Sequence, residues 1–207
     1  MKLLKTMLLS AILVCLSCKE DNSTLSKINE AKDAVESTTN ILSTVNEAKE
    51  KVEKLKNTKP VTPETIKAWM PEALDDLKRQ KYKLGNAGLV NISTIDLDYR
   101  NPDDMPKNLH VEIIDGAGAG SAMIYMYTMI GKTTMESETD NGYEKIHKRD
   151  GIAVKERYRK QKYNSSIKME FLVNDRFAVN ARGNNIEPDE FWKYMKALEV
   201  EELIKTK

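Results

Sequence analysis

The sequence predicts an α+β fold: an antiparallel sheet covered by a buried, methionine-rich helix of small residues and by a C-terminal helix, with a long N-terminal helical stalk ahead of it. Three observations carry this expectation. Residues 25 to 55 repeat apolar side chains at helical spacing and contain neither glycine nor proline. Farther on, short runs alternate apolar and polar residues, and two of the gaps between them are the pairs Asp150 with Gly151 and Asn174 with Asp175. Such pairs tolerate the left-handed backbone of two-residue hairpins. The segments from Gly116 to Gly131 and from Pro188 onward are instead patterned as helices.

At the start of the chain, Lys2 and Lys5 precede an apolar stretch from Met7 to Leu16, which is followed by Ser17 and Cys18. About ten apolar residues make a helix of roughly 15 Å, about half the hydrocarbon core of a bilayer. Residues 1–17 therefore read as a signal peptide rather than a membrane span. Leu16, Ser17 and Cys18 resemble the lipobox of bacterial lipoproteins, with Cys15 standing where that family usually has leucine. The bulky Val14 before Cys15 leaves Cys18 as the lipid site. The resemblance implies cleavage before Cys18, a diacylglycerol on its sulfur and an acyl chain on its amine. Several chains together anchor a protein firmly where one does not. Lys19, Glu20 and Asp21 resemble the charged export signal of Bacteroidota lipoproteins. That likeness implies an outer-membrane location, on the periplasmic or the cell-surface face. With Cys15 lost and Cys18 lipidated, the mature chain keeps no cysteine for a disulfide, a thiolate metal site or a nucleophile.

Residues 18–61 are expected to form a linker and stalk. Ile28, Val35 and Leu42 recur every seven residues, beside rows formed by Ala31, Thr38, Val45 and Val52 and by Ala34, Ile41, Ala48 and Leu55. A helix from Leu25 to Lys56 would be roughly 48 Å long. Thr and Ala fill several seam positions, so a coiled coil that makes an oligomer and a lone solvated spacer are both compatible with it. Asn57, Thr58, Lys59 and Pro60 end the stalk.

The globular domain is expected at residues 62–207. Thr62, Pro63 and Glu64 start a short helix that runs through Trp69, with a capping hydroxyl, proline at the first position and an acid near the dipole's positive end. After Pro71, Glu72 to Leu77 suggests one more helical turn. Lys81 to Leu84 reads as a weak strand and Val90 to Tyr99 as a better one. Its apolar phase slips between Ile92 and Ile95, which predicts a bulge or bend. Leu109, Val111 and Ile113 alternate in a third strand. The helix from Gly116 to Gly131 is apolar nearly all round, which predicts burial against the sheet. A meander follows in four runs, Gly142 to Lys148, Ile152 to Tyr158, Ile167 to Val173 and Phe177 to Arg182. Pro188 opens the last helix, with Asp189 and Glu190 in its first turn and Phe191, Tyr194, Met195 and Leu198 inward. This order resembles a set of uncharacterised secreted and lipoprotein domains of bacteria. The shared features are Pro71 to Leu77, the glycine-rich turn after Asp115, the hairpin through Asn174, Asp175, Arg176 and Phe177, and a last helix ending near Leu203. The likeness spans roughly residues 62 to 204 and implies an architecture, not an activity.

Charge and motifs narrow the function classes. Without Lys2 and Lys5 the 33 basic residues become 31, against 32 acidic ones, so there is no electrostatic footprint for nucleic acid. Gly131, Lys132 and Thr133 imitate the end of a phosphate loop, but Met126 stands where its earlier glycine belongs. Gly116, Gly118 and Gly120 fit close packing better than a dinucleotide fingerprint. Met123, Met126 and Met129 could offer thioethers to Cu(I), although a methionine stripe on a helix is more often core. His110 and His147 have no ligand at metal spacing in sequence. Asp75 with Asp76 and Asp103 with Asp104 read as solvated pairs. No cofactor is expected.

Basic and aromatic residues cluster from Arg157 to Tyr163. Arg157, Arg159, Lys160 and Lys162 are the candidate contacts for a polyanion such as an anionic glycan or lipid headgroups. The expected function is that of a membrane-anchored, non-catalytic binding or scaffolding module with a protein or glycan partner. A structural spacer in an envelope assembly and an unrecognised enzyme are the alternatives.

Overall fold

A computed structural model of the protein describes residue 43, residues 45–86 and residues 92–205. The predicted signal peptide, Cys18, the triplet after it and the stalk up to residue 42 lie outside the described residues. The compact unit begins at Ser43, so it includes the last turns of the predicted stalk.

Helix α1 (residues 45–56) leads into α2 (Pro63–Trp69) and then a run of four strands: β1 (Ala73–Leu74), β2 (Leu77–Asn86), β3 (Ser93–Arg100) and β4 (Asn108–Asp115). A 3-10 turn at Gly118–Gly120 opens α3 (Ser121–Ile130). Five more strands follow, β5 (Met135–Thr139), β6 (Gly142–Arg149), β7 (Ile152–Lys160), β8 (Ser165–Val173) and β9 (Phe177–Asn184). The described chain closes with α4 (Pro188–Ala197) and a 3-10 turn at Val200–Ile204. The nine strands form one sheet in the order β1-β2-β3-β4-β9-β8-β7-β6-β5, antiparallel throughout. Two meanders therefore meet at the central pair β4 and β9. The Asp150-Gly151 and Asn174-Asp175 turns carry positive φ at both residues, as their chemistry predicts.

Period-two alternation decides what each face buries. Ile95, Leu97 and Tyr99 on β3, Leu109, Val111 and Ile113 on β4, and Phe177, Val179 and Ala181 on β9 all turn to one face. Helix α4 lies on that face with Phe191, Trp192, Tyr194 and Met195 buried, and Leu198, Val200 and Leu203 extend the cover. Full burial of each large apolar side chain contributes about 1.5–3 kcal/mol, so this face is the main source of stability. Gly183 is part of the fit, because a Cβ there would lie 2.8 Å from the Phe191 ring.

Among the described residues, the opposite face is covered at one end only. Leu55 of α1, Ile124 of α3, Ile114 and Ala178 make a small second core, flanked by Ile92, Tyr127 and Leu172. Backbones approach closely here: a Cβ on Gly116 would fall 2.2 Å from Ile124 Cγ1 and 2.6 Å from the Arg176 carbonyl oxygen. Buried Asp115 pins the segment between α1 and α2. It accepts hydrogen bonds from Arg176 Nε at 2.7 Å, Arg176 Nη2 at 2.9 Å, the Val61 amide at 2.8 Å and the Ala117 amide at 3.0 Å. Arg176 also donates to the Lys59 carbonyl at 3.0 Å. Lys51 to Asp175 at 2.9 Å and Lys132 to Glu47 at 3.0 Å hold α1 at its outer side.

Three expectations change. Glu72 to Leu77 is not a helical turn: Leu74 pairs with Leu77 across a tight turn in which Asp75 takes a φ of 55°. The predicted bulge near Ile92 is absent from β3, where the register to β4 is unbroken from Thr94 to Arg100. Ile92, just before β3, packs against the second core and Ile95 in the first, so the apparent slip reflects two apolar residues on opposite sides of the sheet. A register irregularity lies instead in β2, between Arg79 and Lys81. Helix α3 buries Ile124 but leaves Met123 39% and Met126 66% exposed, so it is covered on one side only.

Candidate binding face

Away from α1 and α3 the second face of the sheet carries polar side chains alone on its central strands, and strand register arranges them in rows. One row runs Arg100, Asn108, Asn184, Ser166 and Arg159 from β3 to β7. The next runs Asp98, His110, Arg182, Lys168 and Arg157, and continues to Glu144 on β6. A third holds Asp96, Glu112, Asn180, Glu170 and Lys155.

The middle row places three cations directly opposite one another on adjacent strands. Arg182 pairs with Lys168, and Lys168 with Arg157. Like charges in that relation destabilise a sheet. At the ends of the row His110 Nδ1 lies 2.8 Å from Asp98, and Arg157 Nη2 lies 2.6 Å from Glu144. Lys168 leans 2.9 Å to Glu170. Arg182 and Arg159 are exposed and form no ion pair among the described residues. The third row is acidic toward α3. Burial pushes the Tyr127 hydroxyl up to about 12, with the charges of Glu170 and Glu112 adding to it. Asn180 donates to Glu112 at 3.2 Å.

The four basic residues singled out in the sequence do not form one patch. Arg157 and Arg159 stand on the open face, two residues apart on β7. Lys160 lies 3.7 Å from Glu187 at the start of α4, and Lys162 sits over the Tyr163 ring at 5.1 Å in the hairpin turn. Arg182 and Lys168, more central to the face, escaped the sequence search because they are far apart in the chain. Their alternation with Ala181 and Met169 held the signal, since it assigns both to the solvent side of neighbouring strands.

A second polar cluster lies under the covered face. Glu156 is wholly buried on β7 and accepts hydrogen bonds from Tyr143, from Arg149 Nε at 2.7 Å and Nη2 at 3.2 Å, and from His147 Nε2 at 2.9 Å. Burial alone would raise its pKa, but Arg149, Tyr143 and His147 outweigh burial and hold it below the ordinary glutamate value. Donors saturate the carboxylate, and Arg149 continues to Asp189 at 3.0 Å, tying the β6–β7 hairpin to α4. His147 is thus an inward-facing partner of a buried acid. A third cluster joins the β1–β2 turn to the β3–β4 loop and α4. Lys107 reaches Asp76 at 2.7 Å and Glu190 at 2.6 Å, Asn101 donates to Asp76 at 2.6 Å, and the Tyr194 hydroxyl, with one proton to donate, lies within hydrogen-bond distance of both acids.

Among the described residues no group of three His, Cys, Asp or Glu side chains is placed to hold a metal. A cleft of about 370 Å³ opens beside α2, lined by Pro60, Pro63, Ile66, Leu84 and Thr94 among others, and its described lining has no titratable side chain. No described helix is long and apolar enough to cross a membrane. No protein-family model, curated protein or solved structure matches the chain.

Proposed function

We propose that the protein is a bacterial envelope lipoprotein, anchored through lipid on Cys18, whose domain is a non-catalytic binding module that presents its open sheet face to a partner. One observation carries the binding part. Among the described residues one face of a nine-stranded sheet is covered, while away from α1 and α3 the other face of its central strands is not, and like-charged side chains stand opposite one another there. Glu144 and Glu170 compensate Arg157 and Lys168, while Arg182 and Arg159 stand exposed with no acidic partner among the described residues, which leaves them available to an anionic partner. The anchor rests on the lipobox-like Leu16, Ser17 and Cys18 and on the short apolar stretch before them.

Metabolic labelling with radioactive palmitate, followed by fractionation of the cells, tests the anchor. The expected result is a labelled protein in the outer-membrane fraction, with label and membrane retention both lost in Cys18→Ser. Label retained in Cys18→Ser, or a mature wild-type chain free in the periplasm, would overturn it.

A further inference from the structure

We infer that the ligand of the open face is an acidic polysaccharide, lying across β3, β4, β9, β8 and β7 along the first two polar rows; this rests on the binding-module reading above. The track has a direction and borders. Neighbouring strands are about 4.8 Å apart, so five strands give a path of roughly 19 Å, the scale of an extended oligosaccharide rather than of a small metabolite. Along that path the cations follow one another at strand spacing from Arg157 to Lys168 to Arg182.

The chemistry beside those cations favours sugar over other polyanions. Asn108, Asn184 and Ser166 occupy the adjoining row between Arg100 and Arg159. Amides and hydroxyls both donate and accept, which suits a chain of sugar hydroxyls. Neither row carries Phe, Tyr or Trp, the platforms on which the bases of single-stranded nucleic acid stack. Neither carries a large apolar side chain of the kind that inserts at a membrane interface. On the far side Asp96, Glu112 and Glu170 set acid along a row that also holds Asn180 and Lys155, and Asp98 ends the cation row on β3. The anion therefore finds its cations on β9, β8 and β7 and at Arg100, within the first two rows. A ligand carboxylate or sulfate at Arg182 would supply the acidic partner that Lys168 finds in Glu170 and Arg157 in Glu144.

The test is calorimetric titration of the full chain, held in nonionic detergent, with heparin oligosaccharide and with oligogalacturonate, using neutral dextran as control. Both acidic polymers should bind and dextran should not, and binding should weaken as salt screens the exposed charges. Arg182→Glu with Lys168→Glu should lower affinity at least tenfold. The neutral pair Arg182→Gln with Lys168→Gln gives up only the half-exposed Lys168–Glu170 ion pair and should fold like wild type, with at least a fivefold loss of affinity. Lys160→Glu with Lys162→Glu, at the hairpin end, should cost less than threefold. Equal losses from both reversal pairs would mean attraction to net charge alone, and would overturn the inference. So would failure to bind either acidic polymer, or displacement of heparin by mixed micelles carrying phosphatidylglycerol at matched charge. A chain that is lipidated at Cys18 yet binds neither polymer overturns this inference and leaves the anchor standing. One that binds them without lipid upholds it while the anchor falls.

Discussion

Replacing Glu156 by glutamine keeps the shape of the side chain and removes its charge. In the folded protein the carboxylate accepts from Tyr143, His147 and two nitrogens of Arg149. Glutamine offers one oxygen to these donors and turns an NH2 group, itself a donor, toward the rest. Removing one partner of a buried ion pair costs about 3–5 kcal/mol. Arg149 keeps Asp189 at 3.0 Å and is 14% exposed, so part of its charge stays solvated and the lower end applies. The expected loss is about 3 kcal/mol, which at a urea m-value of about 2 kcal/mol/M moves the unfolding midpoint down by roughly 1.5 M. Urea denaturation followed by tryptophan fluorescence reads it directly, because Trp192 of α4 is buried over the same face. A midpoint within about 0.3 M of wild type would refute the view that this carboxylate ties the β6–β7 hairpin to the core.

Acid lability has a related origin. Burial opposes ionisation of Asp76, but hydrogen bonds from Lys107, Tyr194 and Asn101 prevail and hold it at about 2 against an ordinary 3.8. A depressed folded value stabilises the protein above pH 3.8, and the stabilisation disappears as pH falls through about 2. Thermal melts should decline across that window. Asp76→Asn should flatten the decline by about 1 kcal/mol, allowing for solvent screening of a side chain 36% exposed; an unchanged slope would count against the assignment. Gly116→Ala should destabilise by about 2 kcal/mol through overpacking against Ile124, measured by chemical denaturation. Adding Ile124→Ala should recover little, because the Arg176 carbonyl remains 2.6 Å from the added methyl.

Much of the covered face is legible in the sequence, because alternation such as Leu109, Val111 and Ile113 states both the strand and the side it buries. Helix starts at Pro63 and Pro188 are equally plain, since proline at the first position has few other uses. Strand β5 carries Met135, Glu136, Ser137, Glu138 and Thr139, an edge strand that buries too little to show a pattern. The part of α3 that faces solvent is hidden for the opposite reason: Met123 and Met126 look like core and are not. Glu156 was concealed by its type. Its place between Val154 and Tyr158, both inward, implies a buried acid, and Tyr143, His147 and Arg149 alternate on the neighbouring strand as its donors. The cation row needed the register of three strands, which no local reading supplies.

The Asp115–Arg176 clamp has a mechanical consequence. Tension on the chain ahead of residue 45 is met first by α1, through Leu55 and the bridge from Lys51 to Asp175. Once those contacts part, the load passes to the segment from Lys59 to Val61, bolted to Asp115 and Arg176. Asp115 ends β4, and Arg176 immediately precedes β9, so the force enters at the two middle strands of the sheet. There it is shared by strands on either side. Applied to a rim strand such as β1 or β5, the same pull would open hydrogen bonds one after another, as a zip opens. The fold therefore takes a tug on its leading end where it is hardest to unravel.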